Sequence, residues 1–453
     1  YERISLLLGE ERSPVTLYLN AVYFGQGAYG VQAASLTYFG KQAKDLTPAE
    51  AALLAGLPQA PSYLNPWQRP EEVKARRGQV LRAMAREGYI TEEEMDSLNA
   101  SPLGVLPEPF NPNRESPGLS RFIRYLMSWL EIHGFRDLST AGLVVTTSLD
   151  LQRQKELEGQ VGAAVERLGP RGVNNGAAVV LDAKSGGVLA WFGGAHPVYG
   201  PSTLPDMVSD FPHQPGSTMK PLLYACALEE GQLQTGERLD DTPRVIGGRY
   251  IANWDLDPKG RGLRPAREEL ADSRNAAAAE LVDRLSPEGF VRCLRDRFRI
   301  RTDLHPEQHG VVLGLGLAEM PMLELAAAYT VLANGGIYAE PTPLLRLRDR
   351  SGRELYRHST SNSFKALSPN HIEWVRAALS DVSTKLGIPG GVATKTGTTP
   401  SSSFVVGYDS QVVLAGWLGR TEPDRGRMEV DDVDGREAAL SIWQTQVERR
   451  HPN

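Results

Sequence analysis

Cysteine and histidine are scarce in this chain, two and eight in 453 residues, which argues against a metal-centred chemistry; no metal and no cofactor is expected. An excess of basic charge is also missing. Lys and Arg number 49 against 55 Asp and Glu, a net charge of −6, so a nucleic-acid binder with a basic face is excluded. No run of about 18 apolar residues occurs, which excludes a transmembrane helix within these residues. Neither an initiator Met nor a signal-peptide pattern is present. The chain opens at Tyr1 in what reads as the middle of a helical domain, and a fragment of a longer protein is expected. Cys226 and Cys293 fall in helical segments, Pro221–Leu228 and Pro287–Arg297, and are read as free, buried small residues. Two cysteines do not settle a redox compartment.

What is present is an ordinary globular balance, 41% hydrophobic and 23% charged, with length for two or three domains. The first hundred residues read as helical. Thr47 with Pro48 and Glu50 forms a capping-box start for Leu46–Leu57, and Thr91 with Glu94 forms another. Between them Glu71–Glu87 is a helix carrying Lys74, Arg76, Arg77, Arg82 and Arg86. Prolines 102, 107, 109, 112 and 117 mark a linker. From Gly142 the period shortens to that of strands: Leu143–Leu149, Gly176–Leu181 and Gly187–Phe192, the last two joined as a hairpin. Helices return at Lys220–Leu228, Arg267–Leu285 and Met322–Leu332. Phe404–Tyr408 and Val412–Leu418 then flank a second hairpin turn at Asp409-Ser410. Strands, a block of helices and strands again predict an α+β fold, with helices packed on an antiparallel sheet.

Three short motifs carry the chemistry: Ser217-Thr218-Met219-Lys220, Ser273-Arg274-Asn275 and Lys395-Thr396-Gly397-Thr398. A serine at a helix start sits among unpaired backbone N–H groups, and a lysine three residues on shares its face. The hydroxyl becomes a nucleophile only when a neighbour removes its proton. A lysine does this only as the neutral amine, so burial or a nearby cation such as Lys395 must depress its proton affinity. Gly397, without a side chain, lets a substrate backbone lie along the strand, and Thr396 and Thr398 offer hydroxyls for a carboxylate. The N–H groups of Thr398 and Ser217 are candidates for an oxyanion hole. A Ser-x-x-Lys arises by chance roughly once or twice in a chain this long, and a Lys-Thr-Gly about 0.1 times. Ser-x-Asn is weaker, since Ser97-Leu98-Asn99 and Ser368-Pro369-Asn370 also match. The order of the motifs and the segments between them decide the case.

In that order the sequence resembles the class A, bifunctional penicillin-binding proteins over nearly its whole length. The segment Gln214–Pro221 is very close to the family's nucleophile segment. Asn253-Trp254-Asp255, Leu313–Glu319, Ala326–Gly336 and Ala438–Trp443 resemble further landmarks. The resemblance implies a β-lactamase/D,D-peptidase-like transpeptidase domain, in which Ser217 attacks the penultimate D-alanine of a peptidoglycan stem peptide. It implies Lys220 as base, Ser273 and Asn275 for proton shuttling and substrate amide binding, and Lys395, Thr396 and Thr398 for the carboxylate. β-Lactam antibiotics would acylate the same serine. Tyr18–Asn20, Tyr23–Gly30, Tyr38–Lys41 and Arg76-Arg77 are similar to the second half of the family's helical, lysozyme-like glycosyltransferase domain, which acts on a lipid-linked precursor. Asn20, Arg76 and Arg77 are its candidate residues here; Tyr23, Phe24 and Tyr29 are read as core or cleft walls.

The expected organisation is a partial glycosyltransferase domain over 1–105, a linker region over 106–170, a transpeptidase domain over 171–425 and a C-terminal segment over 426–453. The upstream acidic motif of the glycosyltransferase is absent and Thr16 replaces a usual glutamate, so the polymerase half is expected to be inactive in this chain. Ser401–Phe404 is shorter than the family's segment, which puts acceptor binding in question. The resemblance places the catalytic region outside the cytoplasmic membrane, on a parent protein anchored by an N-terminal helix, with other wall-synthesis proteins as partners. Two alternatives stand beside transpeptidation. One is a hydrolase, D,D-carboxypeptidase or β-lactamase, distinguished by rapid deacylation; the other is a non-catalytic wall-synthesis scaffold.

Overall fold

A computed structural model describes residues 14–109, 117–135, 143–194, 206–349, 352–360, 364–388, 391–399, 402–422 and 426–428. Ser401, the Ala438–Trp443 landmark and the side chain of Thr16 lie outside the described residues. The chain divides into two compact units, the first of residues 1–115 and 137–142, the second of residues 116–136 and 143–453.

The first unit is helical: α1 (Pro14–Ala21), α2 (Val31–Phe39), α3 (Pro48–Gly56), α4 (Pro70–Arg86) and α5 (Glu92–Ala100). Both expected capping boxes form. Thr47 and Thr91 accept the N–H of Glu50 and Glu94, whose side chains accept the threonine N–H in return. Phe24, Tyr38, Leu53, Leu54, Leu57 and Val73 make the core, and the buried Tyr38 hydroxyl donates to the Phe24 carbonyl at 2.8 Å. Arg77, a candidate glycosyltransferase residue, turns inward. It is fully buried and donates to the carbonyls of Pro102 (2.8 Å), Ser101 (2.6 Å) and Asn99 (3.1 Å). One guanidinium thus ties α4 to the end of α5, its fork supplying donors to carbonyls that the helix end leaves unpaired.

The second unit runs α6 (Pro117–Ile132), β1 (Val144–Thr147), α7 (Leu151–Leu168), β2 (Asn175–Asp182) and β3 (Val188–Phe192). There follow α8 (Lys220–Glu229), α9 (Ala266–Ala271), α10 (Asn275–Leu285), α11 (Pro287–Phe298) and α12 (Met322–Ala333). The remainder is β4 (Leu344–Arg348), β5 (Glu354–Arg357), α13 (Pro369–Lys385), β6 (Ala393–Thr399), β7 (Ser402–Tyr408) and β8 (Val412–Glu422). The main sheet is antiparallel in the order β6-β7-β8-β2-β3, and the two expected hairpins pair as read. The final long strand closes beside the first: Val412 lies opposite Asp182 and Gly419 opposite Asn175. β1, within the region expected as a linker, pairs with β4 in a separate three-stranded sheet, β1-β4-β5.

β2 is buried along nearly its whole length because both faces of the sheet are covered. Ala177, Val179 and Leu181 face α8, α10 and α12, whereas Ala178 and Val180 face Leu157, Val161, Ala164 and Leu168 of α7. Alternation of side chains across a strand places these sets on opposite faces. α8 is buried from Lys220 to Leu228 and is apolar all round, as a central helix must be. The cysteines correct their reading as free thiols: Cys226 of α8 and Cys293 of α11 form a disulfide, with Cα atoms 6.1 Å apart. The two helices were legible, but their mutual approach was not.

Candidate active site

The site is built where α8 begins. Pro215-Gly216 leads into a 3₁₀ turn, Gly216–Met219, which carries Ser217 and hands over to α8 at Lys220. Gly216 has φ 57°, a left-handed conformation open to glycine. Its N–H donates to the Gly316 carbonyl at 3.0 Å, and a Cβ at Gly316 would overlap the Gly216 carbonyl. The Leu313–Glu319 landmark therefore serves as a backing for the turn that presents Ser217.

β6 lies at the sheet edge against the same turn. Alternation sends Lys395 and Gly397 to one face and Thr396 and Thr398 to the other, Thr398 being exposed. Gly397 has a reason other than room for a substrate backbone. A Cβ there would strike the Pro215 carbonyl and come within 3.3 Å of the Ser217 nitrogen. The missing side chain lets the strand approach the nucleophile's own turn. A Cβ on Gly216 would sit 3.4 Å from the Thr398 nitrogen, so the N–H groups of Ser217 and Thr398 belong to adjoining backbone. The lysine of this strand donates to the Thr396 carbonyl at 2.9 Å, and burial pushes its ammonium down to about 7.

Arg267–Leu285, expected as one helix, is two. α9 ends at Ala271 and α10 starts at Asn275, with Ser273 between them in the left-handed region at φ 61°. A serine pays strain there, so its surroundings must hold it. Arg274 is buried and donates to Asp241 at 2.7 Å and Asp255 at 2.6 Å. Asn253 accepts the N–H groups of Asn275 (2.9 Å) and Ala276 (3.2 Å) and donates to the Asp241 carbonyl at 2.6 Å. The Asn253-Trp254-Asp255 landmark is thus the clamp on this loop. Asp241, which completes the clamp, had no sequence signal, and Arg274 had only its place inside the Ser273-Arg274-Asn275 motif.

The clamp delivers acceptors to Lys220. Its Nζ, wholly buried, lies 2.6 Å from the Ser273 carbonyl, 2.8 Å from Asn275 Oδ1 and 3.3 Å from Ser273 Oγ. Burial pushes Lys220 well below its ordinary proton affinity, Lys395 and Arg274 push it further, and Glu269 opposes them. The Ser217 hydroxyl is not among the partners of Lys220. Asn275, expected to hold a substrate amide, has its own amide engaged at both ends, Oδ1 by Lys220 and Nδ2 by the Ala252 carbonyl at 3.0 Å. Of the three Ser-x-Asn matches, only that at Ser273 adjoins Lys220: Ser97 and Asn99 lie in α5, and Ser368 precedes α13.

A family model described as the penicillin binding protein transpeptidase domain matches residues 176–424, more than half of the chain. The chain belongs to the penicillin-binding proteins. A second model, described as transglycosylase, matches residues 12–85, and the two together are the class A arrangement. Among relatives, the chain is 30% identical to penicillin-binding protein 2D of Bacillus subtilis, over 94% of this chain and 62% of that protein. It is 27% identical to penicillin-binding protein 1A of Aquifex aeolicus, over 98% of this chain and 72% of that one. Against penicillin-binding proteins 2D and 1F of B. subtilis the chain spans about three fifths of their length. The solved penicillin-binding protein 1A of Haemophilus influenzae shares the fold at TM-score 0.71 and 21% identity, covering 99% of this chain and 87% of that one. PonA1 of Mycobacterium tuberculosis, solved in complex with penicillin V, superposes at TM-score 0.62 and 24% identity, over 72% of this chain and 91% of that one.

In the transglycosylase-matched unit of this penicillin-binding protein, Asn20 is exposed on α1. Arg76 donates to the Gly56 carbonyl (3.2 Å) and to Gln79 (2.7 Å), while Arg77 is held by the carbonyls already described. Phe24 is core, whereas Tyr29 is 68% exposed and stacks at a tilt on Tyr23, 4.8 Å between centroids. Tyr29 is therefore no core residue.

Proposed function

We propose that this chain is a serine D,D-transpeptidase of peptidoglycan synthesis, acting through an acyl-enzyme on Ser217. The observation that carries the reading is the placing of Lys220. A neutral amine has two N–H donors, which the Ser273 carbonyl at 2.6 Å and Asn275 Oδ1 at 2.8 Å engage, and its lone pair is then free to exchange a proton with a hydroxyl, the Ser273 Oγ being 3.3 Å away. Ser217 Oγ attacks the penultimate D-alanine carbonyl of a stem peptide as its proton passes to Lys220. The N–H groups of Ser217 and Thr398 receive the developing oxyanion. The C–N bond breaks, the proton leaves with the terminal D-alanine amine through Lys220 and Ser273, and a serine ester remains. An amine of a neighbouring stem then attacks the ester, and its proton returns to Ser217 as the amide forms. The hydroxyls of Thr396 and Thr398 hold the substrate carboxylate, while the buried Lys395 lies on the other face of β6 and donates to the Thr396 carbonyl at 2.9 Å.

A β-lactam presents the same carbonyl and carboxylate, and PonA1, of like fold, was solved with penicillin V. The Cys226–Cys293 disulfide supports a working place outside the reducing cytosol, on the extracytoplasmic side of the membrane. Intact-mass spectrometry after incubation with benzylpenicillin, comparing this chain with Ser217→Ala, tests the reading. A lasting single adduct at Ser217 that is absent from the variant is expected. Rapid drug turnover without an adduct would replace the transpeptidase by a hydrolase, and no reaction by folded protein would leave the scaffold.

A further inference from the structure

We propose that Cys293 is a thiol-exchange site, where a small anionic thiol enters the cavity beside it and converts the Cys226–Cys293 disulfide to a mixed disulfide on Cys293. The exchange is a property of α8 and α11 and is independent of the acyl-enzyme reading.

The two sulfurs differ in access. Cys226 is fully buried in α8, a helix closed to solvent from Lys220 to Leu228. Cys293 keeps 4% of its surface and lines a cavity of about 360 Å³, which Cys226 does not line. Small-molecule sites run from roughly 300 to 1,000 Å³, so the space suits a ligand of a few heavy atoms. One face of α11 makes most of the wall. Gly289, Arg292, Cys293, Asp296 and Arg297 recur at helical spacing, in a stripe with Cys293 at its middle. Glu230, whose N–H donates to the Cys226 carbonyl at 2.9 Å, joins the wall from the end of α8.

The charges of this cavity leave one cation over. Glu230 lies 3.7 Å from Arg297, and Asp296 lies 3.2 Å from Arg295. Arg292, exposed on the same face, forms no ion pair among the described residues. A cation there attracts an anionic ligand and favours the thiolate form of an arriving thiol.

Access is among the factors that select which sulfur of a disulfide a thiolate attacks, and here it selects Cys293. The thiolate sulfur bonds to Cys293 Sγ as the bond between the two Sγ atoms breaks. The electron pair leaves with Cys226 Sγ, which takes a proton from solvent because a buried thiolate is costly. The arriving thiol is oxidised into the mixed disulfide, and Cys226 is reduced to a thiol within α8, the helix that Lys220 begins.

The test incubates the folded chain with mercaptoethanesulfonate, mercaptoethanol or cysteamine, thiols with anionic, neutral and cationic tails. Samples are quenched in acid, unfolded in N-ethylmaleimide and mapped by peptide mass spectrometry. The thiol adduct is expected on Cys293 and the maleimide on Cys226, with the anionic thiol fastest at equal thiolate concentration. Arg292→Glu, at an exposed position, is expected to lower the rate ratio of anionic to cationic thiol by about threefold to tenfold at low salt. An adduct on Cys226, exchange confined to urea-unfolded protein, or an unchanged ratio in Arg292→Glu would overturn the proposal.

Discussion

The Nζ of Lys220 sits 2.6 Å from the carbonyl oxygen of Ser273, 53 residues further along the chain. That contact joins the start of the central helix to a loop in left-handed backbone, and it puts the lysine where water does not reach. Burial favours the neutral amine, and the carbonyl orients it.

Lys220→Arg should therefore fail as completely as Lys220→Ala. A guanidinium keeps the positive charge and can keep donors toward Ser273, but it does not become a neutral base. Loss of the base is expected to lower the benzylpenicillin acylation rate by about 10²–10⁴-fold in both variants. Stopped-flow acylation kinetics check this; an arginine variant within about tenfold of wild type would remove Lys220 from the base role.

Gly397→Ala should damage the site without removing any polar side chain. The added methyl meets the Pro215 carbonyl and the Ser217 nitrogen, so either β6 or the nucleophile's turn must move. Overpacking of this kind costs about 1–3 kcal/mol, and a displaced oxyanion donor costs about 10²–10³ in rate. Thermal unfolding and acylation rate should fall together, whereas an alanine on the exposed face at Thr398 should spare stability.

The Cys226–Cys293 disulfide closes a loop with a sequence separation of 67, which on the chain-entropy model stabilises by about 4 kcal/mol. The Cys226→Ala/Cys293→Ala protein is expected to unfold at lower urea by about that amount, and reductant should shift the wild type but not the variant. Two thiols titrating in native, unreduced protein would contradict the pairing.

Lys395 gives stability a pH dependence of definite sign. Its folded proton affinity is pushed down to about 7, against roughly 10.4 in an unfolded chain. Between those values the unfolded chain binds a proton that the folded chain has released. Stability therefore rises with pH across this window, by about 1.4 kcal/mol per pH unit for this lysine, and levels off above it. Lys220, also depressed, adds a slope of the same sign. Urea unfolding at pH 7, 8 and 9 should show Lys395→Met less steep than wild type by about 1.4 kcal/mol per unit.

Much of this could be read from short stretches of chain. Thr47 with Glu50 and Thr91 with Glu94 announce helix starts, because a capping box involves residues three apart. The Ser185-Gly186-Gly187 turn and Asp409-Ser410 announce hairpins, and the β-rich run Gly176–Leu181 announces a strand. Ser217 and Lys220 share a turn for the same local reason. Even the Asn253-Trp254-Asp255 landmark was visible, although its task as a clamp was not.

What sequence determined by itself was thus the capped helices, the two hairpins and the residue types able to do acyl transfer. Tertiary structure alone decided that Arg267–Leu285 breaks at Ser273, because Arg274 is drawn to Asp241 and Asp255 and Asn275 to Asn253. It alone decided that Cys226 meets Cys293, that Arg77 turns inward to carbonyls, and that Gly397 makes room for the turn of Ser217. It also left Glu269 buried, with Arg264 Nη1 3.4 Å from its carboxyl. Each of these depends on two segments far apart in the chain approaching within bonding distance. Hydrogen bonds, charge effects and steric overlap act over a few ångströms of space, and spacing along the chain does not specify which distant groups will share them.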